Sequence, residues 1–335
     1  MFSRSISSIN RKRRNIHGCI SHPPESYRRD CGSGGHGELS PASALAGSKP
    51  HRADGLAFIA IGDWGRRGEP HQRAVAGQMG RIGEEQGSAF TLALGDNFYG
   101  SGVALVTDAH WKESFDDVYT APSLQRRWYP ILGNHDYRGN PQAQIDYSHH
   151  SRRWTMPGRY YVVEGASLGA AHADFFMIDT PPLIAGYRKE LAATADHHVH
   201  DQDPAAQYAW LDEALGKSNA PWKLVFGHHP IFSGGRHGDS KDLVRDLLPI
   251  LKRHDVKVYA CGHDHDMQHI ERDGIHFIAT GCGSTVRPVD NVEGTRFAVA
   301  CSGLSFYRLT SDALDLTFYD WAGSRVYEAT IPRLG

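Results

Sequence analysis

The chain has 335 residues, 40% of them hydrophobic and 22% charged, the balance of an ordinary soluble globular protein with enough chain to bury a core. A net charge of −2 and a pI near 6.9 exclude a general electrostatic attraction to nucleic acid or anionic membrane. No run approaches the ~18 apolar residues of a membrane span, and five cysteines, an odd number, argue against a disulfide framework.

Residues 1–52 are rich in Ser, Gly, Arg and Pro, lack an apolar period and read as a disordered tail. Residues 1–24 contain no acidic residue and carry Arg4, Arg11, Lys12, Arg13 and Arg14. That composition resembles a transit peptide, but it has no amphipathic period and no apolar core of a secretory signal. Residues 53–335 read as one catalytic domain. Residues 56–61 form a buried strand, 70–85 a helix weakened by Gly77, Gly80 and Gly83, and 90–94 the next strand. A helix is expected at 107–117, with strands at 129–132, 160–164 and 174–179. Residues 180–204 form a long polar connection with no evident element, the kind of loop that often covers a site. A helix at 205–215 and a strand at 223–226 follow. Residues 240–253 read as one amphipathic helix with Leu243, Leu247, Ile250 and Leu251 on one face. A strand at 256–261 precedes six short alternating ones at 267–271, 275–279, 297–301, 304–309, 314–319 and 326–331. Cys261 and Cys282 lie in strand-like runs and are expected to be buried thiols.

Five blocks end strand-like runs in metal-binding residue types. They are Gly62-Asp63-Trp64-Gly65, Gly95-Asp96-Asn97-Phe98-Tyr99, Gly133-Asn134-His135-Asp136, Gly227-His228-His229 and Gly262-His263-Asp264-His265. Their leading donor residues are 33, 38, 94 and 35 positions apart. One block would mean little, but five in order at strand ends place donors on the edge where open α/β sheets build sites. Phosphate esters resist hydrolysis because their charge repels the nucleophile. Two metal ions ~3.5–4 Å apart relieve this and need a bridging carboxylate, for which Asp96 is the candidate. The first block lacks the histidine of the Asp-x-His found in broad calcineurin-like metallophosphoesterases. Gly65 stands there instead, and Tyr99 can supply the missing donor. A phenolate is a hard ligand that favours a trivalent ion.

These blocks resemble the purple acid phosphatases, specifically the small tartrate-resistant acid phosphatase type 5 group. The likeness runs over about residues 56–320, and Gly281-Cys282-Gly283-Ser284 with Val286-Arg287-Pro288 match the same style. The resemblance implies an α/β fold, a four-layer metallophosphoesterase sandwich of two mixed β-sheets packed face to face and flanked by α-helices. It implies Fe(III) on Asp63, Asp96, Tyr99 and His265. A second, divalent metal (Fe, Zn or Mn) falls on Asp96, Asn134, His228 and His263. Three ligand anions against five metal charges leave a net +2, suited to a phosphomonoester dianion. His135 and His237 match family positions that orient the phosphate and protonate the leaving oxygen.

Asp136 is expected to orient His135, His229 to pack behind the ligands, and Asp264 to face away from the metals. The histidines at 149–150 and 197–200 read as solvated loop residues. The 180–204 connection matches in position a family loop that covers the site and restrains activity until cut. The expected activity is acid phosphatase on phosphate monoesters, by in-line attack of a metal-bound hydroxide. The alternatives are a phosphodiesterase on the same scaffold and a non-catalytic metal-binding protein, the latter disfavoured because every expected ligand is present. Substrates are small phosphomonoesters, with phosphoproteins as candidates. No nucleic-acid or membrane partner is expected, and the chain is expected to be a monomer. Export is expected from the resemblance alone.

Overall fold

A computed structural model describes residues 55–192 and 199–333. The expected tail lies outside the described residues, as do His197 and His198. Strand β1 (Leu56–Ile61) is apolar on both faces and pairs with parallel β2 (Phe90–Ala93) and antiparallel β11 (Gly303–Leu309). The first sheet continues through β3 (Trp128–Pro130) on one side and β12 (Ala313–Asp320) and β13 (Arg325–Pro332) on the other. A seven-stranded second sheet runs in the order β10-β8-β9-β7-β6-β5-β4. Its strands are β4 (Tyr161–Glu164), β5 (Ala173–Met177), β6 (Trp222–Phe226), β7 (Val258–Cys261), β8 (Met267–Arg272), β9 (Ile275–Thr280) and β10 (Thr295–Val299). Strands β5, β6, β7 and β9 are parallel, so their C-terminal ends share one edge. Phe58 joins the sheets: it stacks on Phe90 and Tyr307 and meets Phe175 of the second sheet edge-on. Both sheets are mixed, as the four-layer expectation required.

Helix α1 (Gln72–Gln86) buries Val75, Ala76, Met79 and Ile82 against the first sheet's side. The helix expected at 107–117 is instead a single α turn, α2 (Ala109–Trp111), continued by a wider π turn at Lys112–Asp116. The short α3 (Pro141–Asp146) is capped by the Asn140 side chain. Residues 180–204 are not featureless: they include a 3₁₀ turn and α4 (Ala185–Ala192). Helix α5 (Pro204–Lys217) is capped by Asp203. The helix expected at 240–253 is two, α6 (Lys241–Asp246) and α7 (Leu248–Arg253). Pro249 has no N–H to continue the ladder, so the chain restarts at Leu247, yet the predicted apolar face is buried throughout. Cys261, Cys282 and Cys301 are free, the first two buried as expected. No helix among the described residues is long and apolar enough to cross a membrane.

Candidate metal centre

The sheets meet at the C-terminal ends of β1, β2, β3, β6 and β7, and each of the five blocks begins there. Backbone bonds lock the edge, with Gly62 N–H donating to Thr280, Asp63 N–H to Gly95 and Gly262 N–H to His228. Asp63, Asp96 and His263 take φ of +59°, +48° and +70°, left-handed values sparsely used by non-glycine residues. These turns aim the side chains off the strand ends rather than along the sheets. Gly133 lets the third turn approach the second, since a Cβ there would lie 2.2 Å from Asp96 Oδ1.

The Tyr99 hydroxyl lies 2.7 Å from Asp63 Oδ1, 2.9 Å from Asp96 Oδ2 and 3.1 Å from His265 Nε2. Those four residues are the set assigned from the sequence to the trivalent ion. The other set adjoins it through Asp96, whose Oδ1 is 3.5 Å from His228 Nε2, while His228 Nε2 is 3.3 Å from His263 Nδ1. The remaining ring nitrogens are tied elsewhere. His228 Nδ1 donates to the Leu94 carbonyl, His265 Nδ1 meets Thr285 Oγ1, and His263 Nε2 meets the Tyr187 hydroxyl, at 2.8, 2.7 and 2.8 Å. That pattern fixes ring orientation and leaves one nitrogen of each facing the cluster.

Buried charge makes the same point. Asp63 and Asp96 are both buried. Burial works to raise the Asp96 carboxyl, but His228 and then His135 hold it well below the usual carboxylate range. Burial lowers His228, yet Asp96 and Asp63 lift it to about 9. Burial, then Asp63 and Asp96, push the Tyr99 phenol well above its ordinary value. A cation of high charge reverses that pressure and makes the phenolate the stable form. Asn134 is buried with an Oδ1 that has no hydrogen-bond partner, an orphaned acceptor that a metal would satisfy. Oxygen and imidazole donors of this kind suit Fe, Zn or Mn.

His135 donates its backbone N–H to Asp96 Oδ1 at 2.7 Å, and its Nδ1 meets the Gly100 carbonyl at 2.6 Å, with the ring 4.3 Å from that of Tyr99. Burial, against the pull of Asp96, lowers its pKa. Asp136 does not orient it. That buried carboxylate accepts from the N–H groups of Asn97, Phe98 and Gly133 and from Gln144 Nε2, bracing the second block against the third. His237 stacks 4.0 Å from His263. Asp264 does face away from the metal ligands, but towards His237, a role the spacing of the fifth block did not reveal. His229 is buried beside His228 and His263 and lies within one ligand-sized grouping with them. Its Nδ1 bonds Thr180 Oγ1 at 2.8 Å and its Nε2 has no partner. His149 and His150 are exposed at the end of the 3₁₀ turn after α3.

Helix α4 comes over this edge. Besides Tyr187 on His263, Glu190 pairs with Arg138 at 3.0 Å, and Arg138 in turn lies 3.1 Å from His135 Nδ1. A cavity of about 340 Å³ opens under the helix, lined in part by Ile184, Tyr187, Pro230, His237 and His263.

A family model described as calcineurin-like phosphoesterase matches residues 56–267. Purple acid phosphatase 17 of Arabidopsis thaliana is 38% identical over 297 residues, 84% of this chain and 86% of that protein. Tartrate-resistant acid phosphatase type 5 of Homo sapiens is 31% identical over 313 residues, 85% and 94% of the two chains. Among solved structures, GAP50, the anchor in the inner membrane complex of Plasmodium, superposes with a TM-score of 0.72 at 24% identity, covering 83% of this chain and 88% of that one. A purple acid phosphatase from yellow lupin (Lupinus luteus) seeds gives 0.60 at 14%, covering 84% and 55%. These two likenesses speak to the fold.

Proposed function

Because the chain belongs to the purple acid phosphatases of the calcineurin-like phosphoesterase family, we propose how its two donor sets divide the metals. Asp63, Asp96, Tyr99 and His265 would hold Fe(III). Asp96, Asn134, His228 and His263 would hold a divalent ion, Fe, Zn or Mn. The enzyme is a hydrolase of phosphate monoesters. The observation that carries the metal assignment is the Tyr99 hydroxyl held within 3.1 Å of two buried carboxylates and a histidine. When bound, the metals offset the phosphate's charge and supply an activated nucleophile for in-line displacement without a phosphoenzyme.

The chain's own residues do the rest. Asp96 joins the two donor sets. His135, its Nδ1 bonded to the Gly100 carbonyl and its Nε2 3.3 Å from Arg138 Nη1, stands with Arg138 at the edge of the donor cluster to orient the phosphate. His237, its Nδ1 committed to Asp264, keeps Nε2 to protonate the leaving oxygen, a contribution of ~10²–10⁴-fold. The cavity under α4 receives the leaving group, and α4 is the cover of the site.

The test is the visible absorption spectrum of the oxidised protein with its metal content, beside Tyr99→Phe. A charge-transfer band lost in the variant supports phenolate on Fe(III). A colourless protein with two Zn or Mn ions overturns that metal assignment and directs the next assays to phosphodiesters.

A further inference from the structure

Arg66 follows the first block, and the metal assignment gives it no task. Its guanidinium carbon lies 3.5 Å from the centre of the Tyr99 ring, a close cation–π contact. The side chain is held there from both ends. Its backbone N–H donates to Oε1 of buried Gln72 at 2.9 Å, and Gln72 is itself fixed by donating to the Ser114 carbonyl. Its Nε donates to Ser284 Oγ at 3.0 Å, and that hydroxyl donates to the Asp63 carbonyl at 2.6 Å. Ser284 is fully buried and precedes Thr285, the partner of His265. Both Nη groups have no acceptor among the described residues, and Arg66 is only half-buried. An arginine anchored through Nε with both terminal nitrogens uncommitted presents donors in a fixed direction, the arrangement suited to a phosphate or carboxylate. Its neighbour Arg67 differs: it is exposed and paired with Glu113 at 2.7 Å.

We propose that Arg66 is a positioning residue for the Tyr99 phenolate and, through its free Nη groups, a binding residue for the substrate's anionic group at the mouth of the site. The proposal rests on the phenolate–Fe(III) assignment above. A cation over the ring stabilises the phenolate's electrons more than the neutral radical-like state reached on charge transfer to iron. The cation therefore raises the energy of the visible band, and its removal lowers it. A residue that merely braced the loop would leave the band's position unchanged.

The experiment compares wild type, Arg66→Met, Arg66→Lys and Arg67→Met as metal-loaded, oxidised proteins. It records the visible maximum and the inhibition constant of inorganic phosphate. The expected result is a band at longer wavelength and phosphate binding weakened about fivefold to tenfold in Arg66→Met. Arg66→Lys changes less in the same sense, and Arg67→Met resembles wild type. Unchanged band position and phosphate affinity in folded Arg66→Met overturn the proposal. Where Arg66→Met does not fold, Arg66→Lys decides by the same two readouts. A wild-type protein with no band overturns the iron assignment instead, and phosphate affinity then decides whether Arg66 binds the anion.

Discussion

Asp264 accepts two hydrogen bonds from His237, one from the backbone N–H at 3.1 Å and one from ring Nδ1 at 2.7 Å. It also accepts from Ser233 Oγ. Burial works to raise this carboxyl, but the His237 and Ser233 hydrogen bonds hold it low, so it stays an anion. The two neighbours of Asp264 in sequence face the donor cluster, His263 towards His228 and His265 towards Tyr99, while Asp264 fixes the orientation of His237.

Asp264→Asn is expected to lower kcat about 10–100-fold with KM little changed, because His237 stays nearby but loses its fixed orientation. His237→Ala and the double variant should then cost nearly the same as each other. Additive losses in that cycle reject the coupling.

Tyr187→Phe keeps the ring that packs 4.5 Å from His229 but removes the hydroxyl on His263 Nε2. Retention of the divalent ion is expected to weaken about 10–100-fold. Competition with a chelator, followed by metal analysis, measures it. Equal retention in both proteins sinks the idea that α4 supports the divalent site.

Asp179 gives a pH dependence. It is fully buried and bonded by the Tyr137 hydroxyl. Burial raises its carboxyl to about 7, against the opposing pull of Arg159. Between the unfolded value near ~4 and 7, the folded chain holds a proton that the unfolded chain has lost. Stability contributed here is therefore present at low pH and declines as pH rises across that window, by up to about 4 kcal/mol. Asp179→Asn should flatten that decline in urea titrations of chelator-treated protein at pH 4.5 to 7.5. An unchanged slope would show that the carboxyl titrates normally.

Gly65→Ala is expected to be severe. A Cβ there would sit 1.8 Å from the Asn97 carbonyl oxygen, and the Gly65 carbonyl accepts the Tyr99 N–H at 2.8 Å. Backbone, not a flexible side chain, blocks the added atom, so the loss should exceed the ~1–3 kcal/mol of ordinary overpacking. Thermal unfolding checks stability, and the visible band reports whether Tyr99 still reaches its partners.

All seven candidate donors lie in turns that follow strand ends, because each block follows a short apolar run and opens on a glycine. What escaped the sequence depends on contacts between distant segments. Helix α4 is mostly exposed and only weakly amphipathic, so only the folded chain shows that Tyr187 turns inward. Asp136 looked like a partner for its neighbour His135, yet the N–H groups of the second block capture it. The heptad-like pattern of residues 240–253 is genuine and buried, but Pro249 breaks the backbone beneath it. Arg66 carried no motif, since its significance is the ring it covers.

The fit of Gly65 against Asn97 also bears on how such centres diverge. A histidine at position 65 and the second block's present path cannot occupy the same space. Exchanging the Tyr99 phenol for an imidazole at position 65 therefore takes more than two side-chain changes: the backbone at Asn97 and Phe98 has to follow another path, because it is that backbone which fills the space a Cβ would need.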